Sequence, residues 1–208
     1  MNQWSFNKEV AEVYTLHVRQ HIPNYDRVID KSISICNRVC SKTDSIIDVG
    51  CATGETLELF YNNGFRNLHG VDNSYEMLIK CNQTIAKFYN SSILPDNTYK
   101  VVIANWVLHF IKNKELYLKN IYNNLDNSGF LILSEKTSNH NMLLDFYHDI
   151  KRQNGVSEDE IETKAQSLKD VMFICSVEWY LNILKQIGFK QVDIIDADWC
   201  FTSFLCQK

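Results

Sequence analysis

The sequence has few of the prolines and glycines that are typical of linkers, and it has no long apolar run and no low-complexity segment. Its 208 residues include only two prolines and seven glycines, and no internal repeat interrupts them. No apolar run reaches the roughly 20 residues that a transmembrane helix needs. We therefore expect a single domain over residues 1–208 that makes no contact with a membrane.

The sequence also lacks an excess of basic residues and a pattern of paired cysteines. Its 21 lysines and arginines against 25 aspartates and glutamates give a formal net charge of −4, whereas a dedicated nucleic-acid-binding domain is usually basic. The seven cysteines are scattered and follow no secretory signal, which predicts reduced thiols in the cytoplasm. Cys36 and Cys40 have no second Cys/His pair at zinc spacing. We therefore expect a small-molecule substrate, no direct nucleic-acid binding and no metal site.

A strand, a glycine turn and a helix follow one another in residues 45–61. The strand is an apolar run rich in β-branched residues, Gly50 and Gly54 frame the turn, and Leu57 and Phe60 recur at helical spacing. This succession is typical of the first unit of a nucleotide-binding α/β sheet. We interpret Gly50 as the point where a ligand approaches the backbone, and Gly54 as allowing the helix to pack closely.

Two acidic residues narrow the choice of ligand. Asp48 lies at the end of the first strand, where it would repel the diphosphate of a dinucleotide but would suit an ammonium or sulfonium group. Asp72 ends the next apolar run, where a carboxylate can accept hydrogen bonds from both ribose hydroxyls. Together they predict S-adenosylmethionine (SAM) as the cofactor.

The remaining elements predict a mostly parallel sheet that ends in an antiparallel hairpin. The apolar run 101–104 is typical of a strand covered on both faces, and two β runs near the C-terminus are separated only by residues 196–198. Residues 74–88 are predicted as a helix and 89–94 as a weak strand. The predicted fold is therefore α/β: a Rossmann-like class I methyltransferase fold with a seven-stranded sheet.

Two helical segments are predicted to cover the ligand edge of this sheet. An amphipathic pattern starts at Trp4, and we interpret residues 1–42 as lid helices over the cofactor, with Tyr25 as a cofactor contact. Residues 137–176 interrupt the α/β pattern with helical spacing, and within them residues 156–172 are polar and acidic. We predict that this insert is a cap over the substrate.

Several polar residues follow predicted strands or lie in the cap, where they would face the ligand. Asn105, Trp106 and His109 follow the fourth strand, and ligands of open parallel sheets bind outside the strand carboxyl ends. If the acceptor carries a proton, a general base is required, and the candidates are His109, Tyr147 and His148. A purely structural role for His109 stays open.

The chain resembles the carboxy-S-adenosylmethionine synthases, SAM-binding enzymes on the class I methyltransferase fold. The resemblance covers nearly the whole chain, and residues 148–172 align without a gap. The motifs that carry it are residues 10–13, Tyr25, residues 133–136, His148-Asp149, Lys151-Arg152, Asn154-Gly155, Ser157-Glu158, Ile161, Lys164, Leu168 and Val171-Met172.

The resemblance implies a set of cofactor contacts and a homodimer. An adenine contact is implied for Asn90 and Ser91, where the family has an acidic residue first, and an amide oxygen can still accept the adenine hydrogen bond. The other implied SAM contacts are Tyr25, Gly50, Cys51, Ala52, Asp72, Asn73 and Asn105.

This chain departs from the family at one charged position. The family places an arginine, which holds the extra carboxylate of its product, where this chain has Ala165, and an aromatic residue where it has Val156. A methyl group cannot replace a bidentate guanidinium contact. Lys164 is adjacent but is expected to face elsewhere on its helix. If the chain binds the same carboxylate as the family, another cation must replace the arginine, and Arg152 and Lys164 are the candidates.

The sequence therefore supports a SAM-dependent enzyme, and the favoured hypothesis is a methyltransferase acting on a small molecule by in-line displacement at the sulfonium methyl. The alternative is a carboxy-SAM synthase-like enzyme that uses SAM and prephenate. The resemblance implies that its product would then serve the pathway that modifies the wobble uridine of tRNA. Two further alternatives are an enzyme that opens or cyclises SAM itself and a SAM-binding subunit that supports a partner enzyme.

Overall fold

The computed structural model describes residues 5–208, so Trp4 and the start of the predicted lid lie outside the described residues. Seven strands form one sheet: β1 (Ile46–Val49), β2 (Leu68–Asp72), β3 (Lys87–Asn90), β4 (Tyr99–Asn105), β5 (Leu125–Lys136), β6 (Gln191–Asp198) and β7 (Phe201–Gln207). Their order is β3-β2-β1-β4-β5-β7-β6. The first five pair in parallel, and β7 is antiparallel to both β5 and β6. The predicted fold class is confirmed.

Eight α-helices surround the sheet in the described part of the chain: α1 (Lys8–His21), α2 (Tyr25–Val39), α3 (Glu55–Asn62), α4 (Tyr75–Leu78), α5 (Lys114–Asn124), α6 (Asn141–Gln153), α7 (Glu158–Leu168) and α8 (Val177–Ile187). Most of them begin at a polar side chain that accepts a main-chain N–H of the first turn. Such caps are Asn7, Ser74, Asn113, Ser157 and Ser176. No helix within residues 5–208 is long and apolar enough to cross a bilayer.

Both faces of the central strands are buried, as the apolar run in β4 predicts. On one face the sheet packs against Leu118 of α5 and Tyr180 of α8. On the other face it packs against Ile29 of α2 and Phe60 of α3. The polar strand ends therefore emerge from a sheet that is covered on both faces, and these ends form the site described below.

The helix predicted over residues 74–88 is wrong in length. Only α4, a single turn, forms, and the chain then turns and enters β3 at Lys87, earlier than predicted. The side chain of Asn82 accepts hydrogen bonds from the main-chain N–H and the hydroxyl of Thr84. This local Asx turn lies after the end of α4 at Leu78, and it holds residues 82–84 in a turn that a continued helix would not contain.

The C-terminal hairpin turns later than predicted. Residues 196–198 continue β6 and pair with β7, so the turn consists of Trp199 and Cys200. Trp199 has a φ of 47°, which is the left-handed conformation that two-residue hairpin turns require. The antiparallel arrangement itself is as predicted.

Candidate functional site

The carboxyl ends of the central strands open into a cavity of about 490 Å³, which we call the crevice. It lies where β1, β2 and β4 end, as expected for ligands of parallel sheets. Six of the predicted cofactor residues line it: Gly50, Ala52, Asp72, Asn73, Ser91 and Asn105. Four aromatic side chains also line it: Phe6, Tyr14, Trp106 and Phe110.

The glycine turn after β1 forms one side of the crevice. Gly50 has a φ of +68°, and a Cβ at this position would lie 2.7 Å from Cγ2 of Val107. Gly54 has a φ of +80°, and its Cβ would lie 3.1 Å from Sγ of Cys81. The left-handed backbone and close packing by the protein itself therefore account for both glycines. Our interpretation of Gly50 from ligand approach alone is incomplete.

Asp72 is held at the end of β2 by main-chain donors. Oδ2 accepts the N–H of Ala52 at 2.9 Å, and Oδ1 accepts the N–H of Ser74 at 2.8 Å. Burial raises the pKa of Asp72, and these hydrogen bonds oppose that increase. Each carboxylate oxygen can accept a further bond. A fixed carboxylate with free acceptor capacity on the crevice is the arrangement that ribose hydroxyls require.

Asp48 lines a narrow recess of about 20 Å³ that also contacts Tyr25 and Cys51. Five residues line both the recess and the crevice: Tyr14, Gly50, Ala52, Asn105 and Trp106. Burial, and then the charge of Asp72, raise the pKa of Asp48 to about 8. A cation placed beside a buried acid of this kind would stabilise the carboxylate form.

Asn105 provides a test of whether a polar ligand fits here. Its side-chain nitrogen and oxygen are both buried, and neither has a hydrogen-bond partner within residues 5–208. Buried amides are normally bonded, so an unsatisfied one at a cavity wall indicates a missing polar ligand. The carboxylates of Asp48 and Asp72 and this amide together fit the cationic, hydroxyl-bearing SAM molecule.

The structure separates the two residues of the implied adenine contact. Ser91 lines the crevice, but Asn90 is exposed and is absent from the residues that line it. The amide nitrogen of Asn90 donates to the main-chain oxygen of Asp72 at 3.2 Å. Asn90 therefore supports the end of β2 in this conformation.

A second and larger cavity of about 610 Å³ lies under α1, α6 and α7, and we call it the cap cavity. Phe6, Tyr14, Trp106 and Phe110 line both the cap cavity and the crevice. These four aromatic rings, which we call the aromatic wall, therefore lie at the boundary where the two spaces meet.

The cap cavity is strongly basic. Lys136, Lys151 and Lys164 line it, and Asp170 is the one acidic side chain among the described residues on its lining. Burial lowers the pKa of all three lysines. At Lys151 and Lys164 the charge of a neighbouring lysine lowers the pKa further, to about 8 at Lys151 and about 7 at Lys164. The cavity is therefore suited to an anion, which would stabilise the charged amines.

Lys164 corrects our expectation from helix geometry. It lines the cap cavity together with Ala165, although we expected it to face elsewhere. Arg152, in contrast, forms ion pairs with Asp149 and Glu158 at the surface and is absent from the cavity lining. Of the two cations considered as replacements for the family's arginine, only Lys164 lines the cavity.

His109 lines the cap cavity and is oriented by the buried carboxylate of Glu135. Oε1 accepts the N–H groups of Val107 and Leu108, and Oε2 accepts the N–H of His109. Oε2 also lies 2.8 Å from Nδ1 of His109. Because the carboxylate acts as acceptor throughout, Nδ1 donates, and in the neutral ring Nε2 is the basic nitrogen. This is the geometry of a base held by an orienting carboxylate.

The other two candidate bases differ from His109. The hydroxyl of Tyr147 donates to the main-chain oxygen of His21 at 2.8 Å, and burial raises the pKa of Tyr147. The phenol therefore connects α6 to α1 and is a poor base near neutral pH. His148 lines the cap cavity, and burial with the charge of Lys151 lowers its pKa.

Tyr14 and Lys151 are among the residues of the site that the sequence did not indicate. Tyr14 lines the crevice, the recess and the cap cavity, but only its amphipathic spacing was visible. Lys151 is 5% exposed, and its Nζ lies 4.2 Å from the centre of the Tyr147 ring. Lys151 and Tyr147 are four residues apart on one helix, so they share a face of that helix. This spacing is the signal that could have indicated Lys151.

Comparisons with known proteins agree with this geometry. A family model described as a methyltransferase domain matches residues 35–194. A carboxy-S-adenosyl-L-methionine synthase from Nautilia profundicola is 31% identical over 222 residues, covering 99% of this chain and 95% of the relative. The enzyme of the same name from Histophilus somni is 31% identical over 228 residues, and the match covers 100% of this chain and 95% of the relative.

Solved structures show the same fold at low identity. A SAM-dependent methyltransferase from Thermotoga maritima superposes with a TM-score of 0.70 at 14% identity, covering 99% of this chain and 100% of that chain. Magnesium protoporphyrin IX methyltransferase from Synechocystis, crystallised with bound SAH, superposes with a TM-score of 0.67 at 14% identity. The superposition covers 91% of this chain and 85% of that chain.

These matches define the class of protein: the chain is a SAM-dependent transferase with a Rossmann-like methyltransferase fold, and SAM is its cofactor. Within that class, the chain belongs to the family of the carboxy-S-adenosyl-L-methionine synthases. The resemblance seen in the sequence is thereby confirmed.

Proposed function

We propose that this enzyme transfers a methyl group from SAM to a small anionic molecule held in the cap cavity. The observation that carries the proposal is the juxtaposition of two cavities of opposite character. The crevice presents Asp72, and the recess beside it presents Asp48. The cap cavity presents Lys136, Lys151 and Lys164. Electrostatics therefore favours a cation on one side of the aromatic wall and an anion on the other.

The residues proposed to hold SAM are those at the strand ends. Asp72 would bind the ribose hydroxyls, Asp48 the ammonium group, and Asn105 the polar atoms of the amino-acid arm. When bound, SAM supplies an electrophilic methyl carbon on a charged sulfur. Tyr25 stacks on Trp106 with ring centres 4.9 Å apart, so the two rings can exclude water from this boundary.

The cap side is proposed to position the acceptor and its proton. The lysines would hold the anionic group, and Nε2 of His109 can take a proton because Glu135 fixes the ring. His148 is the second candidate for this role. The helices within residues 1–42 and 137–176 would act as lid and cap, and the described part of both segments lines the cap cavity.

The test is transfer of labelled methyl groups from SAM to a panel of carboxylates, phosphates and neutral analogues. We expect an anionic product and stoichiometric SAH. The variant Lys151→Met should raise KM for the anion at least about tenfold. Lys185→Met is the matched control, because Lys185 is an exposed lysine on α8. Exclusive labelling of neutral acceptors would contradict the proposal.

Carboxy-SAM formation is a second candidate, and a specific observation favours it. Curated relatives at 31% identity carry the name carboxy-S-adenosyl-L-methionine synthase. Ala165 stands where that family has arginine, but the lysines beside it can bind a carboxylate. Mass spectrometry of the copurified cofactor, with prephenate as second substrate, decides between them: a carboxylated sulfonium supports this candidate, and SAM with SAH supports methyl transfer.

We further propose a homodimer located in the cytoplasm, with no direct nucleic-acid binding. The family resemblance supports the dimer, and the free cysteines support a reducing compartment. The formal net charge of −4 argues against a dedicated nucleic-acid-binding surface. Light scattering on the purified protein measures the mass directly, and a monomer at micromolar concentration would contradict the dimer.

A further inference from the structure

A cluster of potential metal ligands lies at one end of the cap cavity and is not needed for either proposed reaction. His17 and His21 are four residues apart on α1, a pair that our expectation of no metal site did not take into account, and both line the cap cavity. Glu160 of α7 faces them, and one ligand atom from each of the three side chains lies within 4.8 Å of the others. Two histidines at this spacing on a helix, joined by a carboxylate, are a recurrent arrangement for Zn²⁺.

The second observation is that His21 is buried without the hydrogen bonds that a buried imidazole needs. The residue is 5% exposed, and neither ring nitrogen has a hydrogen-bond partner within residues 5–208. Its Nε2 lies 3.4 Å from Oε1 of Glu160. Buried polar atoms are almost always satisfied, so this ring indicates an absent ligand.

The distances are compatible with a tetrahedral ion. Bonds of about 2.0–2.1 Å place neighbouring ligand atoms about 3.3–3.4 Å apart, which is the separation already present between His21 and Glu160. The rings of His17 and His21 have centroids 4.1 Å apart and are tilted by 36°. A rotation of His17 about its side-chain bonds would therefore complete the set.

We propose that His17, His21 and Glu160 form a binding site for a divalent transition-metal ion of the Zn²⁺ class. Two imidazoles and one carboxylate leave at least one coordination position for an exogenous ligand. Because both histidines line the cap cavity, that position faces the space in which Lys136, Lys151 and Lys164 lie. An oxygen atom of an anionic molecule is the ligand that this combination selects.

A neighbouring lysine should weaken metal binding at this site, and this effect can be tested by substitution. The amine of Lys164 contacts the ring of His17, so it competes with a metal ion for this position. Replacing this amine by an uncharged side chain of similar length should therefore tighten metal binding. A purely structural histidine pair would show no such gain.

The experiment titrates the full-length protein, prepared without a polyhistidine tag, with Zn²⁺ in calorimetry and with Co²⁺ in visible spectroscopy. We expect one equivalent to bind, with d–d absorption typical of nitrogen and oxygen ligands. His21→Asn and Glu160→Gln should each weaken binding at least about tenfold, and Lys164→Met should strengthen it. His148→Ala is the matched control, because His148 lines the same cavity outside the cluster.

Three results would overturn the proposal. The first is the absence of saturable binding. The second is a Co²⁺ spectrum with thiolate charge transfer, which would assign the metal to the free cysteines. The third is unchanged affinity in Glu160→Gln, a variant of a half-exposed side chain whose folding circular dichroism can verify. These readouts need no turnover, so they are independent of the proposed methyl transfer.

Discussion

The raised pKa of Asp48 predicts that SAM binding is coupled to the release of a proton. Without a ligand, burial and Asp72 hold this pKa at about 8, so the carboxyl group is mostly protonated near neutral pH. An ammonium group beside it favours the carboxylate and lowers the pKa in the complex. The affinity for SAM should therefore rise with pH below about 8, because less work is then needed to ionise Asp48.

The size of the effect follows from the pKa. Well below it, each pH unit changes the ionised fraction tenfold, so the Kd should fall about tenfold from about pH 6 to about pH 7, or about 1.4 kcal/mol. Calorimetry in two buffers of different ionisation enthalpy should then detect release of close to one proton per SAM.

The control is Asp48→Asn, which keeps the shape of the side chain and removes its titration. This variant should bind SAM more weakly, with little dependence on pH in the same range. Equal pH dependence in both proteins, or no proton release by the native one, would refute the assignment of the ammonium contact to Asp48. Without ligand, Asp48→Asn should raise the melting temperature near neutral pH, because folding of the native protein must then protonate a carboxyl group that is ionised in the unfolded chain. This advantage should disappear as the pH falls towards 4, where the unfolded chain is protonated as well.

Three further predictions concern other parts of the site. Replacing Asp72 by alanine should weaken SAM binding at least about tenfold in calorimetry, because two hydrogen bonds to a charged acceptor are lost; unchanged affinity would exclude the ribose role. Glu135→Gln should lower the free energy of unfolding in urea by about 2 kcal/mol or more, since an amide group cannot accept all the donors that the carboxylate accepts; a neutral result would contradict its role as the buried acceptor. Lys151→Met should raise the melting temperature near pH 7 while weakening anion binding, because a buried amine is removed; a lower temperature would show that the lysine is paired in the free protein.

The sequence predicted the sheet well because its signals are local and strong. The run in β4 is apolar at every position and is buried at every position from Val101 to Ala104. The two β runs at the C-terminus are so close that only an antiparallel turn can join them. The predicted length of the helix after Ser74 was wrong because the chain leaves the helix at Leu78 and forms a turn around Asn82, whose side chain accepts two hydrogen bonds from Thr84. Such local side-chain contacts are not visible in the spacing of apolar residues.

The cofactor side of the site was predictable, and the substrate side was only partly so. Asp48, Asp72 and Asn105 each lie at or next to the carboxyl end of a strand, and parallel strands bring such residues to one edge. Lys151 and Lys164 lie on different helices, whose relative rotation depends on tertiary packing. Their convergence on one cavity therefore could not be read from spacing within either helix.

The two cavities explain why the missing arginine need not change the class of molecule that the enzyme binds. A bidentate guanidinium fixes the orientation of a carboxylate, whereas several lysines attract an anion without imposing one geometry. Ala165 also leaves more room beside Lys164 than an arginine would. The cap cavity of this chain should therefore accept anions that differ in shape, with selection made by the aromatic wall and the apolar residues opposite it. This argues for measuring acceptor range before any single substrate is assigned, and a strict preference for one carboxylate geometry would show that a fixed contact replaces the guanidinium.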